Sequence, residues 1–245
     1  MSGRGDAMFF IIILGGICAS FIYAVTASDN ISILYRRSRC DLCFQSLKPY
    51  ELIPVMSFIL LKGKCSYCKE KIDNSFIVCE ILVILLYLLP IYFNLSLKDL
   101  TLYYLMITIL LPLSIYDRKN LKIPNHMNLI FLVAGLFLTD LYYLEPFQDI
   151  CIILILHLFF YLFSESIGYG DIKLFTVITL ITPVNFFIYS LLLTYLIGGL
   201  FVIILHFYKT KLPAKIPLVP FITTAIILSF LLYDDLNSIY FGGFL

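Results

Sequence analysis

Charge is scarce in this chain, and tryptophan is missing altogether. Lys, Arg, Asp and Glu make up 13% of the 245 residues, where an ordinary soluble domain carries about 25%. That scarcity excludes a soluble globular domain, a solvated disordered chain and a collagen-like fibre. Basic residues outnumber acidic ones by 17 to 16, so the chain has no electrostatic footprint for nucleic acid. The three histidines, His126, His157 and His206, are scattered and show no metal-ligand spacing. There is no internal repeat, no low-complexity tract and no glycine-rich nucleotide motif.

What is present is apolar. Hydrophobic residues make up 61% of the chain, including 22 Phe, and 18 Tyr suit the two membrane interfaces. A spanning helix needs about 20 mostly apolar residues. On that criterion the sequence predicts eight spans, at residues 8–27, 76–93, 100–116, 127–144, 150–163, 172–181, 186–208 and 218–233, with six or seven as alternatives. The sixth is too short to cross straight, and Pro183 limits its extension. The expected fold class is therefore an all-α polytopic membrane protein. Residues 1–7 read as a lead outside the fold, 28–75 as the single polar module, and 76–245 as one membrane-embedded domain.

The basic residues predict the orientation. Fifteen of the 17 fall on one side of the eight-span arrangement. They are Arg36, Arg37, Arg39, Lys48, Lys62, Lys64, Lys69 and Lys71 in the polar module; Arg118, Lys119 and Lys122; Lys173; and Lys209, Lys211 and Lys215. Arg4 and Lys98 fall opposite, with the acids Asp140, Glu145, Asp149, Asp234 and Asp235. Cytoplasmic loops carry the excess of Lys and Arg. The polar module is therefore expected in the cytoplasm and both termini outside, an assignment that six spans would break.

Four of the seven cysteines form two Cys-x-x-Cys pairs, Cys40/Cys43 and Cys65/Cys68. Four thiolates at this spacing suit a structural Zn²⁺ with no open position. A redox pair or free thiols are the alternatives, although disulfides rarely persist in cytoplasm. Cys18, Cys79 and Cys151 stand alone in spans, as small packing residues do.

Ionisable groups inside or beside a span are costly unless paired or functional. Asp117 ends the third span, and Asp171, in Gly168-Tyr-Gly-Asp171, opens the sixth. The charge argument used no chemistry, yet it puts both at one face and one depth. Two such carboxylates can share a proton: one acts as general base on water while the other polarises a carbonyl. Gly168 and Gly170 would let backbone approach closely or turn sharply beside Asp171. The bland alternatives are that Asp171 caps a helix and that Asp117 pairs with Arg118 or Lys119. Glu80 reads as a buried structural or substrate-contacting group, and Glu165 as a residue at the water interface.

In order along the chain, several stretches resemble the bacterial type IV prepilin peptidases, intramembrane aspartic proteases of the Gly-x-Gly-Asp type. They are Ser38-Arg-Cys-Asp-Leu-Cys43, Leu52-Ile-Pro-Val-Met-Ser57, Leu61-Lys-Gly-Lys-Cys-Ser-Tyr-Cys68, Asp117 with Ile123-Pro124, and Gly168-Tyr-Gly-Asp-Ile-Lys-Leu174. The resemblance implies prepilin or pseudopilin substrates with a short basic leader, cut after a Gly at the cytoplasmic face of the bacterial cell membrane. It implies Asp117 and Asp171 as the catalytic pair, with Gly168, Gly170 and Lys173 shaping the site. It also implies methylation of the new N-terminus with S-adenosylmethionine through the cysteine-bearing loop, with Glu80 a possible substrate or methyl-transfer contact. Ser28 departs from the pattern, which has an Arg there, and this bears on the methyl-transfer half. Attraction for a basic leader would come from Glu80, Glu51, Glu70, Asp73 or the catalytic carboxylates. An ion-coupled transporter and a non-catalytic assembly factor are the competing readings. The first would favour acids at the midplane and inverted repeats.

Overall fold

The computed structural model describes residues 2–27, 37–40, 42–93, 97–138, 145–165, 167–208 and 215–232. Arg36, Asp140, Lys209, Lys211, Asp234, Asp235 and the departure at Ser28 lie outside them. The described residues are helical apart from turns, loops and two isolated β-bridges, as the all-α expectation requires. The helices are α1 (Ser2–Ala27), a short α2 (Met56–Leu60), α3 (Asn74–Phe93), α4 (Leu97–Asn120), α5 (Asn125–Leu138), α6 (Pro146–Leu162), α7 (Tyr169–Ile181), α8 (Val184–Phe207) and α9 (Val219–Leu231). All but α2 fall on the eight apolar segments. Two stretches, Leu100–Asn120 and Val184–Phe207, are by themselves long and apolar enough to cross a membrane.

Helix boundaries follow backbone hydrogen bonding rather than hydropathy. α1 starts at Ser2, inside the residues set aside as a lead. α4 runs four residues past the apolar stretch, because no Gly or Pro interrupts Asp117–Asn120. It stops where Leu121 takes a left-handed φ of 51° and donates its N–H to the Asp117 carbonyl at 2.8 Å.

The helices alternate in direction. α1 and α3 are antiparallel: Gly15 lies against Tyr87, while Tyr23 meets Phe76 edge-on at 4.8 Å. Gly15 is required there, because a Cβ would sit 2.6 Å from the Tyr87 ring. α4 and α9 are antiparallel as well, with Thr223 hydroxyl donating to the Leu110 carbonyl and Tyr103 meeting the Phe230 ring at 5.4 Å. α5 and α7 run parallel, as alternate helices of a serpentine must. Lys173 reaches Asn125 at their starts, and Gly135 abuts Ile181 further along. One end of the bundle therefore collects the C-termini of α1 and α4 and the N-termini of α3, α5, α7 and α9. α4 and α7 fill the middle: Met106, Ile107, Leu110, Leu113, Ile172 and Leu174 are fully buried.

α7 has 13 residues, a rise of about 20 Å at 1.5 Å per residue, against a hydrocarbon core of about 30 Å. Its apolar surroundings explain how so short a helix is held, since Ile172, Leu174, Phe175, Val177, Ile178 and Ile181 are all buried.

Candidate active site

Asp117 sits in the last turn of α4 and is 4% exposed. Its Oδ2 accepts the N–H of Val219, the first residue of α9, at 3.3 Å. A helix N-terminus offers unpaired N–H groups and the positive end of its dipole. Asp117 is thus aimed at α9 rather than at its basic neighbours. Lys119, the candidate partner in an ordinary interfacial pair, binds Asp73 at the start of the α3 segment instead.

Asp171 is not a helix cap. Gly168 is the N-cap of α7, with no side-chain cap hydrogen bond, and Asp171 lies in the first turn with its N–H on the Gly168 carbonyl at 3.0 Å. Asp171 lies within the electrostatic reach of Asp117.

The two glycines serve close approach, not an unusual backbone. Gly168 has an ordinary φ of −73°. A Cβ there would stand 3.0 Å from the Asp171 Oδ2. At Gly170 a Cβ would come within 3.3 Å of Ile123, in the loop between α4 and α5. Lys173 points away from Asp171. Its Nζ donates to Asn125 Oδ1 at 2.9 Å and lies over the Tyr169 ring at 4.7 Å. It fastens α7 to α5, which continues the chain from Asp117.

The sequence reading missed Tyr195. It stands on α8 beside Phe175, ring centroids 6.5 Å apart, within the electrostatic reach of Asp171. Phe175 is one turn on from Asp171. A tyrosine in an apolar helix carries no local signal of such a neighbour. Glu165 is exposed, as expected of an interfacial residue.

Glu80 is buried in α3, and its Oε2 accepts the Val55 N–H at 2.8 Å. That oxygen is committed to the protein's own backbone, so the structure gives no support to Glu80 as a contact for a methyl donor. No other described residue is placed as a contact for S-adenosylmethionine. The acids expected to attract a basic leader are largely engaged as well. Glu51 is buried and accepts the Lys48 N–H at 2.6 Å. The Asp73 carboxyl is lowered by Lys119 first and the Ser75 N–H second. Glu70 is exposed.

The four paired cysteines converge. All four Sγ atoms lie within 4.8 Å of one another, with Cys40–Cys68 and Cys43–Cys65 each at 3.9 Å. Sulfurs about 2.3 Å from a central Zn²⁺ would form a tetrahedron with edges of about 3.8 Å. A disulfide needs about 2.0 Å. The two halves repeat one design. Cys40 N–H bonds the Gln45 carbonyl and Phe44 N–H the Cys40 carbonyl; Cys65 N–H bonds Glu70 and Lys69 N–H bonds Cys65. Phe44 and Lys69 both take positive φ, 57° and 61°, and a β-bridge closes each turn, Arg39 to Ser46 and Lys64 to Lys71. Backbone N–H groups of Cys68 and Tyr67 pull the Cys65 thiol down to about 7, while at Cys68 the Glu70 N–H is outweighed by burial and by the thiols of Cys65, Cys43 and Cys40, which push it up to about 11. The cluster fits a tetrahedral metal. Of the lone cysteines, Cys79 is fully buried, with Sγ 4.0 Å from the Ala19 carbonyl.

Fold and site thus define an all-helical protein with a paired-carboxylate centre and a four-thiol cluster. Two family profiles match it. The bacterial peptidase A24 N-terminal domain covers residues 13–93, and the type IV leader peptidase family covers residues 104–203. The prepilin leader peptidase/N-methyltransferase of Bacillus subtilis is 30% identical over 242 residues, 94% of this chain and 96% of that protein. The enzymes of the same name from Vibrio cholerae and Pseudomonas aeruginosa are 28% and 27% identical, over 79% and 87% of this chain and 80% and 78% of theirs. No solved structure matches. The chain belongs to the type IV leader peptidase family and is a protease.

Proposed function

We propose that this chain removes the leader of prepilins or pseudopilins at the cytoplasmic face of a bacterial cell membrane, with Asp117 and Asp171 as the catalytic pair. The observation that supports the reading is that these two buried or half-buried carboxylates, 54 residues apart in sequence, come within electrostatic reach of one another at one end of the bundle. One carboxylate takes a proton from water as the oxygen adds to the scissile carbonyl. The other, as the acid, gives its proton to the carbonyl oxygen. Collapse of the resulting diol breaks the C–N bond, and the amine leaves with a proton from the pair. The substrate must be extended, because a helix hides its carbonyls in hydrogen bonds.

Eight spans with the polar module in the cytoplasm are supported by the alternation of helix directions and by the distribution of Lys and Arg. Residues 28–75 and 76–245 remain the two working parts, one carrying the cysteines and the other the aspartates. Zn²⁺ held by Cys40, Cys43, Cys65 and Cys68 would fix both knuckles as one rigid cap over the substrate's path. Methylation of the released N-terminus is carried by the name of the relatives.

The test is cleavage of a prepilin-like peptide in detergent by wild type, Asp117→Asn and Asp171→Asn, read by mass spectrometry. Each variant is expected to retain its fold and lose about 10²–10⁴-fold in kcat, as removal of a general acid or base does. A gain of one CH₂ on the product reports methylation. A folded variant that still cleaves at the wild-type rate would remove the pair from the mechanism.

A further inference from the structure

Residues 52–60, between the two knuckles, carry an apolar strip that the described residues leave exposed. Leu52 and Ile53 lie before the turn at Val55, and Met56, Ile59 and Leu60 lie on the five-residue α2 after it. They are 46%, 48%, 54%, 61% and 68% exposed. The opposite side of the same stretch is fastened. A Cβ on Gly16 would stand 2.7 Å from Pro54, the Val55 N–H is held by Glu80, and Phe58 packs on Gly63. Val55 keeps a φ of 62°, which β-branched residues seldom adopt. The strip is therefore held outward by a fixed and strained anchor.

The anchor points give its depth. Gly16 lies 11 residues before the end of α1 at Ala27, and Glu80 six residues after the start of α3 at Asn74. At 1.5 Å per residue these are about 16 Å and about 9 Å along the helices from the ends where the cysteine segment joins them. Pro54 and Val55 are thus drawn down beside α1 and α3. The exposed charges around the strip, Lys48 before it and Lys62 and Lys64 after it, are all basic.

We propose that residues 52–60 are re-entrant: they dip into the cytoplasmic leaflet and bury this strip among lipid tails, with Lys62 and Lys64 returning to anionic headgroups. Irregular backbone at membrane depth must have its polar groups satisfied by protein. Glu80 supplies the acceptor for the Val55 N–H, and the Met56 and Ser57 N–H groups bond to Pro54 and Ile53 carbonyls. This assigns Glu80 to the re-entrant turn. An apolar face flanked by Lys is the composition that seats a helix in an anionic interface.

The inference rests on the membrane reading above, and the experiment separates the two. The chain has no tryptophan, so a single one reports without background. Leu60→Trp, Ile59→Trp and a span control, Leu196→Trp on the outer face of α8, are placed in nanodiscs of phosphatidylcholine and phosphatidylglycerol, with and without brominated acyl chains. Retained peptide cleavage certifies each fold. The expected result is that bromine removes at least about half the emission at positions 59 and 60 as well as at 196, and that acrylamide quenches none of them strongly. Quenching at 196 with emission at 59 and 60 open to acrylamide overturns the re-entrant turn and leaves the spans standing. Shielding at 59 and 60 that appears only on adding prepilin, or only at high protein concentration, overturns it in favour of substrate or a second copy.

Discussion

Gly168→Ala separates a catalytic role for Asp171 from a structural one. The backbone at Gly168 is open to any residue, with φ −73° and ψ 135°. Ala loses a few tenths to about 1 kcal/mol as an N-cap and gains about 0.4–1 kcal/mol by restricting the unfolded chain. The two effects roughly cancel, so Tm should stay within about 2 °C. The new Cβ, however, would meet Asp171 Oδ2 at 3.0 Å, where ordinary contact begins at 3.4 Å. The carboxylate must therefore retreat by about 0.4 Å. A misplacement of about 1 Å at a reacting group costs about 10²-fold, so about tenfold in kcat is expected here, or about 1.4 kcal/mol of transition-state stabilisation. KM should hardly change. Gly170→Ala is the control, because the three atoms nearest its Cβ would all belong to Ile123, the Cβ of that residue closest at 3.3 Å, and none to Asp171. It should lose less than about threefold. The assay is steady-state peptide cleavage in detergent beside thermal unfolding of the same samples. Wild-type kcat in Gly168→Ala, or a larger loss in Gly170→Ala, would refute the reasoning. A loss that follows unfolding would refute it too.

Three further outcomes are expected. Purified protein should carry about one zinc per chain, and Cys65→Ser should abolish it. Hydrogen exchange should then rise across residues 37–72 while α4, α7 and α9 keep their protection. Gly135→Ala puts a Cβ 2.5 Å from Ile181 Cγ2, so it should destabilise the α5–α7 seam by about 1–3 kcal/mol in a denaturant titration, and Ile181→Ala in the same chain should recover part of that. The Asp73 carboxyl is lowered by Lys119, so its stabilisation is complete above the ordinary carboxylate pKa of 3.8 and is lost as pH falls below it. Both partners are about half exposed, which limits the pair to about 0.2–1 kcal/mol. Asp73→Asn should cost no more than that at pH 7 and nothing at pH 2.

The architecture was legible because unbroken apolar runs can only be helices here, and eight of the observed helices fall on eight such runs. Their ends were not, because hydropathy stops at Tyr116 while backbone hydrogen bonding carries α4 on to Asn120. The four cysteines could be named from residue type and spacing, whereas Asp117 and Asp171 stood among four acids in or beside spans and were joined as a catalytic pair by the family resemblance. What each charge touches could not be read in either way. Asp117 bonds a backbone N–H 102 residues away, and Lys119 an acid 46 residues away. The field linking Tyr195 to Asp171 and the bond from Val55 to Glu80 likewise exist only once the helices are packed. The sequence reading left Glu80 as either a buried structural group or a substrate contact, because an acid in a span demands a partner. The demand was real, and the chain's own backbone meets it.

The last turn of α4 ties the two working parts together. Asp117 faces α9 and Asp171, while Lys119, two residues on, grips Asp73 at the end of the cysteine segment. His126, which opens α5 just beyond, donates from Nε2 to the Val25 carbonyl near the end of α1, 3.0 Å away. Contacts therefore run from the cysteine segment to the turn that carries Asp117, and from α5 through Lys173 to the first turn of α7. The short α7 has little of itself outside the core, so its first turn can move only with α5 and α6 packed against it. The two carboxylates thus depend on separate supports, α9 with the cysteine segment for Asp117 and α5 with the Gly168 contact for Asp171. Their spacing is a property of the assembled end of the bundle, and damage to either support should lower kcat before it lowers substrate affinity.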